Sequence, residues 1–189
     1  MEPNLYIGLV HHPIYDKRKE IVATAVTNFD IHDLARCAKT FGLGGFYIIT
    51  PLESQVQLAE RLIRHWVEGK GSVYNPTRKE SLSLVRVSRS IDEASQEISG
   101  LWQKRVKRIA TGASHHPQSI RFEDLRMVLK DRCTPFLILF GTGWGLTEEV
   151  KNRSDYVLAP IEGKGYNHLS VRSAAAIILD RLLGDRNGS

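Results

Sequence analysis

Three apolar runs end in glycine-bearing stretches: Thr111-Gly112-Ala113, Gly141-Thr142-Gly143-Trp144-Gly145, and Pro160-Ile161-Glu162-Gly163 followed by Gly165. Glycine has no Cβ, so backbone amides and carbonyls approach a ligand closely there, and a flat purine is readable by main-chain groups alone. The middle stretch is not a dinucleotide fingerprint. It lies far along the chain, and no acidic residue follows it about 20 positions later on a second strand. It is not a P-loop either, because no Gly-Lys-Ser/Thr ends it. Taken singly, such a strand-to-helix turn is more often a structural feature than a ligand site. Trp144 stands among the glycines. It either packs beneath the loop as a rigid prop or closes the pocket as a lid, and the packing area of a buried indole favours the prop.

Two histidine pairs, His11-His12 and His115-His116, invite a metal reading. Adjacent histidines point apart on a strand or loop, and no carboxylate spacing completes a site, so no metal is expected and loop polarity or a polar ligand contact is the better reading. Cys37 and Cys133 are far apart and lack a CxxC pairing. They are expected as small apolar fillers rather than as a disulfide or zinc site.

The elements that must position these loops alternate in period. LYIGLV (5–10), FYIIT (46–50), SLVRV (83–87), RIATGAS, FLILFG and YVLAP read as strands. IHDLARCAKTFG (31–42) has Ile31, Leu34, Ala35, Ala38 and Phe41 on one helical stripe with Gly42 as its stop. SQVQLAERLIRHWVEG (54–69) turns Val56, Leu58, Ala59, Leu62, Ile63, Trp66 and Val67 inward and ends at Gly69 and Gly71. A further helix follows Ser90, a capping residue with a glutamate three positions on. FEDLRMVLK, LTEEVKN and SVRSAAAIILDRLLG complete the series. Several strands are apolar throughout, which implies an α/β fold with a mostly parallel sheet covered by helices on both faces. Ligands of such sheets sit beyond the carboxyl ends of the strands.

At 189 residues, with 42% hydrophobic and 25% charged residues, the chain fits one domain over 1–189. No apolar run is long enough for a membrane span and the N-terminus does not resemble a secretory signal, so a cytoplasmic location is expected. The net charge of +5 is concentrated in KRK (17–19), RLIRHW (61–66), QKRVKR (103–108) and Arg121, Arg126, Lys130 and Arg132. Excess cations favour polyanionic partners, with a plain solvated face as the equal alternative.

Three blocks, in order and spacing, resemble those of the SPOUT superfamily of S-adenosylmethionine-dependent RNA methyltransferases. TNFDIHDLARCAKTFGL (27–43) is similar to the first, in which an arginine is followed six residues later by glycine, as Arg36 is by Gly42. LILFGTGWGLTEEV (137–150) is similar to the second, and YVLAPIEGKGYNHLSVRSAAAIILDRL (156–182) to the third. The likeness covers about residues 5–183 and points to a bacterial stand-alone subgroup related to predicted tRNA methyltransferases.

The resemblance implies a C-terminal deep trefoil knot, with knot and cofactor pocket over about 110–183. It also implies S-adenosylmethionine as cofactor, a homodimer formed through the knot region, and RNA, most readily tRNA, as substrate. On the matching positions the pocket is expected at Leu139, Phe140, Gly141, Gly143, Gly145, Pro160, Ile161 and Gly163, with Leu169 and Ser170 at the start of the knot helix and Thr111, Gly112 and Ala113 as the other wall. Ribose-methylating relatives use the first-block arginine, here Arg36, although a guanidinium holds its proton too tightly to act as a base without a special environment. Its structural alternative is a salt bridge to Asp30 or Asp33. This chain departs from those relatives in carrying Asp30 and His168 where they commonly carry asparagine, with Asn167 beside His168. An acidic residue near the acceptor suits deprotonation of a guanine ring nitrogen, and an imidazole is a candidate base or orienting donor. Arg36, Asp30, Asn167 and His168 are therefore the candidate catalytic residues. The acceptor is either a ribose 2′-hydroxyl or a guanine ring nitrogen, and the alternatives are an rRNA substrate or a non-catalytic RNA-binding protein that keeps the pocket.

Overall fold

The structure, a computed structural model, describes residues 3–184. Its strands are β1 (Leu5–Val10), β2 (Ile14–Tyr15), β3 (Ile21–Val22), β4 (Gly45–Ile49), β5 (Val85–Ser88), β6 (Lys107–Ala110), β7 (Ser119–Ile120), β8 (Phe136–Gly141) and β9 (Tyr156–Leu158). Its helices are α1 (Asn28–Thr40), α2 (Glu53–Val67), α3 (Lys70–Tyr74), α4 (Pro76–Leu82), α5 (Ile91–Trp102), α6 (Phe122–Val128), α7 (Glu148–Asn152) and α8 (Val171–Leu183). Seven strands pair in the order β5-β4-β1-β8-β6-β9-β7, all in parallel, while β2 and β3 form a separate antiparallel hairpin. The chain leaves β1 first towards β4 and β5, then crosses to the other side through β6 and β8. The order therefore reverses at β1, and such a reversal opens a crevice at the carboxyl ends of the strands.

Alternation along the strands builds two cores. Ile7, Leu9, Phe46, Ile48, Ile138 and Phe140 join one face with Leu34 and Ala38 of α1 and Ala175 and Leu179 of α8. Tyr6, Val10, Tyr47, Ile49, Leu137 and Leu139 join the other with Ile91, Ala94 and Ile98 of α5. Each fully buried aliphatic side chain contributes about 1.5–3 kcal/mol, which explains why strands buried on both sides carry no alternating polar residues. The parallel sheet with helices on both faces agrees with the sequence.

The differences have local causes. Leu58 of α2 is 46% exposed rather than inward, because only Val56 and Ala59 of that helix reach full burial. α2 ends at Val67, just before Gly69 as expected, but Gly71 lies inside the next helix, α3. A Cβ on Gly71 would come within 2.6 Å of the Trp66 ring, so this glycine admits the indole while α3 and α4 continue. Asn75 caps α4 by accepting from the Arg78 amide. Ser90 caps α5 as expected, but Glu93 reaches the amide of Arg89 instead of closing the box on Ser90. Cys133 is exposed, so only Cys37 acts as a filler at the core.

The basic stretch 103–108 is largely neutralised. Asp155, whose carboxyl is 12% exposed, accepts from Arg105 at 2.8 Å, Lys107 at 3.0 Å and the Arg108 amide at 2.9 Å. Burial alone would raise its pKa, but these donors hold it below the usual carboxylate range. Replacing Asp155 with asparagine is expected to cost about 3 kcal/mol at pH 7, because two cations and an amide lose a charged acceptor. A depressed carboxylate stabilises above its unfolded pKa and ceases to do so as pH falls through its folded value. The gap between wild type and variant, measured by urea unfolding, therefore narrows in acid. An equal gap at all pH values would refute this account.

Candidate active site

A cleft of about 1280 Å³ lies beyond the carboxyl ends of β8 and β6, next to the reversal at β1. One wall is the loop that follows β8. Thr142 donates its amide (3.1 Å) and its hydroxyl (3.0 Å) to the Val10 carbonyl. Trp144 donates to the Tyr15 carbonyl at 3.1 Å, and Tyr15 donates back to Gly145 at 3.0 Å. The loop is thus stitched to the β2–β3 hairpin. Gly143 has φ +55, a conformation that favours glycine, and a Cβ there would also push against the terminal methyl of Ile14 at 2.8 Å.

The second wall follows β6. Thr111 donates its amide (3.1 Å) and hydroxyl (2.9 Å) to the Leu139 carbonyl, and the Ala113 carbonyl accepts from Asn167 Nδ2 at 2.6 Å. That bond fastens the loop after β9 to the loop after β6. The start of α8 closes the floor, with Ser170 as N-cap accepting from the Ser173 amide and Val171, Ala174 and Ile178 facing the cleft.

Asp30 enters from the first turn of α1. Thr27 caps that helix, and its hydroxyl donates to Asp30 Oδ2 at 2.6 Å. Arg172 of α8 stands with Nε 3.2 Å from Asp30 Oδ1 and donates from Nη1 to Asp33 at 2.9 Å. The ion pair considered for Arg36 is therefore made by Arg172, which hydrogen-bonds to Asp33 and stands at ion-pair distance from Asp30 without a hydrogen bond to it. Opposite, Lys151 is buried and its Nζ lies 2.8 Å from Glu148, whose carboxyl is held below its ordinary value chiefly by that bond.

Of the expected residues, the structure brings Thr111, Gly112, Ala113, Phe140, Gly141, Gly143, Gly145, Ile161, Leu169 and Ser170 together around the cleft with Asp30, Asn167 and His168. Four do not line it. Leu139 lies on the opposite face of β8 in the α5-side core, as strand alternation requires once Phe140 faces the cleft. Pro160 is buried behind the wall, and Gly163 is glycine because a Cβ would meet the Tyr166 carbonyl at 2.1 Å, a demand of the turn and not of a ligand. Arg36 is exposed on α1 away from the cleft. Trp144 is 67% exposed, so the buried prop is corrected: glycine backbone fixed by the hairpin makes the loop rigid without it.

Residues that sequence reasoning missed are Tyr15, Asp16, Thr24, Thr27, Glu148 and Lys151. Lys17 and Lys19 had drawn notice only as charge. The hairpin had no strand signal, being two residues per strand.

His11 is not a surface residue but part of a buried hydrogen-bond chain. Among the described residues no group of three or more His, Cys, Asp or Glu is placed to hold a metal ion. His11 is fully buried, with Nδ1 3.0 Å from Thr24 Oγ1, which lies 2.5 Å from Thr142 Oγ1. Thr142 spends its proton on Val10, so Thr24 must donate to Thr142 and His11 Nδ1 must carry the proton given to Thr24. Nε2 is left as a buried acceptor without a partner. Burial, partly offset by the charge of Asp30, lowers the pKa to about 4. The unfolded chain takes up this proton near the ordinary histidine value and the folded one does not until about pH 4, so stability falls as pH drops through that window. Wild type is expected to lose about 2 kcal/mol from this group between pH 7 and pH 5. A His11→Asn variant lacks that slope in urea unfolding, and an identical slope would show that His11 is not the group.

The carboxylates Asp16, Asp30 and Glu148 and the cations Lys17, Lys19 and Lys151 give the cleft both signs of charge beside glycine backbone. This donor set suits a ligand with a purine, a cationic sulfonium and a zwitterionic amino-acid end. Residues 4–184 match the family described as SAM-dependent RNA methyltransferase. The chain is 48% identical over 183 residues to a tRNA (guanine-N(1)-)-methyltransferase of Oleidesulfovibrio alaskensis, covering 96% of this chain and 42% of that protein. It therefore spans less than half the length of that relative. An uncharacterized protein of Aquifex aeolicus is 39% identical over 180 residues, covering 95% of this chain and 88% of its own length. Among solved structures, a probable methylase family protein from Haemophilus influenzae superposes with a TM-score of 0.64 at 19% identity over 96% of this chain and 66% of that one, a likeness of fold. With a family match across nearly the whole chain and a cleft at the strand-order reversal, the protein belongs to the SAM-dependent RNA methyltransferases.

Proposed function

We propose that the chain binds S-adenosylmethionine in this cleft and methylates tRNA at N1 of a guanine, with Asp30 as the proton acceptor. The observation that carries the reading is a carboxylate lining the cleft, oriented by Thr27 and Arg172. When bound, the cofactor supplies an electrophilic methyl group. The residues of the chain must orient the acceptor and remove its proton. Asp30 takes the N1 proton as the nitrogen–carbon bond forms, and Arg172 keeps the carboxylate pointed at the cleft. Ser170, Leu169 and Ile161 form the floor and side, Thr111, Gly112 and Ala113 the far wall, and His168 the rim, with Asn167 fixing that wall. The relative named for guanine N1 methylation supports the acceptor, and its greater length leaves the activity of this segment for experiment.

The reading includes residues 1–189 as a single catalytic domain, threaded as a trefoil knot over about 110–183. The packing of α8 against α1 and α6 supports it. It also includes a homodimer formed through the knot region that brings Arg36 of one copy to the cleft of the other. Exposed Arg36, without an ion pair among the described residues, supports that arrangement and a second reading, transfer to a ribose 2′-hydroxyl. Among the described residues no helix is long and apolar enough to cross a membrane.

The test is incubation with methyl-labelled cofactor and unmodified tRNA or rRNA, followed by digestion to nucleosides. Label in 1-methylguanosine from tRNA is expected. Label in a 2′-O-methylnucleoside selects the second reading, and cofactor binding without transfer to any RNA makes the protein a non-catalytic binder.

A further inference from the structure

Trp144 is fixed where its backbone lies but not where its ring lies. Its amide and the neighbouring Gly145 carbonyl are bonded to Tyr15, while the indole is 67% exposed at the cleft. Among the described residues no ring or guanidinium packs on it. What sets this exposed indole apart is its place: it stands on a loop whose backbone is fixed, at the mouth of the cleft. Next to it the β2–β3 turn presents Lys17, Arg18 and Lys19. Asp16 Oδ1 pins this turn by accepting from the amides of Arg18 (2.7 Å) and Glu20 (2.9 Å). The three cations are exposed and form no ion pair among the described residues, unlike the stretch 103–108. A flat apolar face beside free cations matches one chemistry: an unstacked base with phosphates on either side.

We propose that Trp144 is the stacking platform for the acceptor nucleotide of the RNA. The nucleotide leaves its own stack, lays its base on the indole, and places its flanking phosphates on Lys17, Arg18 and Lys19. The identity of the ligand as RNA rests on the reading given under Proposed function. A nucleic-acid enzyme that works on a base must take it out of the stack, and a preformed aromatic face offsets part of that cost.

The full chain is titrated with unmodified tRNA, with S-adenosylhomocysteine titrated separately by calorimetry. Trp144→Ala is expected to weaken tRNA binding by about 10- to 100-fold while cofactor-product affinity stays within about twofold. Trp144→Phe, which keeps a ring, restores most of the tRNA affinity. Bound tRNA quenches indole emission in wild type, and that quench disappears in Trp144→Phe. Unchanged tRNA affinity in Trp144→Ala, or no tRNA affinity in wild type, overturns the proposal. So does a larger loss of S-adenosylhomocysteine affinity than of tRNA affinity, which would make the ring a lid on the cofactor. Because binding and quenching are read without turnover, a wild type that binds tRNA through Trp144 but transfers no label leaves base stacking on Trp144 standing and removes methylation, and with it the acceptor role of the stacked nucleotide. Transfer with wild-type kinetics in Trp144→Ala does the reverse.

Discussion

Asp30→Asn is expected to lower kcat by about 10²- to 10⁴-fold with S-adenosylhomocysteine affinity held within a few fold. The size follows from what is lost and what is kept. Asparagine is nearly the same shape and still accepts the Thr27 hydroxyl through its carbonyl, and the cap itself, the Asp30 backbone amide donating to Thr27 Oγ1, is untouched. It no longer accepts a proton from the substrate. It also leaves Arg172 with Asp33 alone, an ion pair at 2.9 Å that keeps α8 tied to α1. The measurement is single-turnover methyl transfer to tRNA, with calorimetry for the cofactor product. If Asp30→Asn turns over at the wild-type rate while Arg36→Ala abolishes turnover, the carboxylate is not the proton acceptor and the ribose reading replaces the guanine one.

Gly143→Val is expected to lower S-adenosylhomocysteine affinity on the order of 100-fold. A β-branched side chain at φ +55 costs about 1–3 kcal/mol of backbone strain. A Cβ at 2.8 Å from Ile14 Cδ1 adds a clash on the order of 1–3 kcal/mol. Ile14 belongs to the hairpin that holds the loop, so relief comes from parting the loop and hairpin, which opens the cleft wall. Part of the cost appears as reduced stability and the rest as affinity, because the ligand must restore the wall. Calorimetry and urea unfolding on the same preparation separate the two. Wild-type affinity in a folded variant would place the cofactor elsewhere.

Both expectations depend on features that differ in how visibly they are written in the chain. The parallel sheet was legible because burial on two faces forces near-continuous apolar strands, as in LYIGLV and FLILFG. The stripe Ile31, Leu34, Ala35, Ala38 was legible because helical period and burial coincide there. The hairpin and α3–α4 were not. Two-residue strands have no period to read, and Gly71, an apparent stop, is glycine to make room for Trp66. Charge was equally ambiguous: KRK at 17–19 and QKRVKR at 103–108 look alike in sequence, yet among the described residues only the first makes no ion pair.

The sequence by itself determined the layered α/β architecture, the glycine loops at the strand ends and the family, since these depend on local period, conformation and block spacing. Only tertiary structure decided that Arg172 rather than Arg36 holds Asp30, 142 positions away along the chain. It alone turned Trp144 outward and linked His11 through Thr24 to Thr142. Contacts of that kind join residues remote in sequence, and a side chain's partner is set by the path of the whole backbone, which no local pattern encodes.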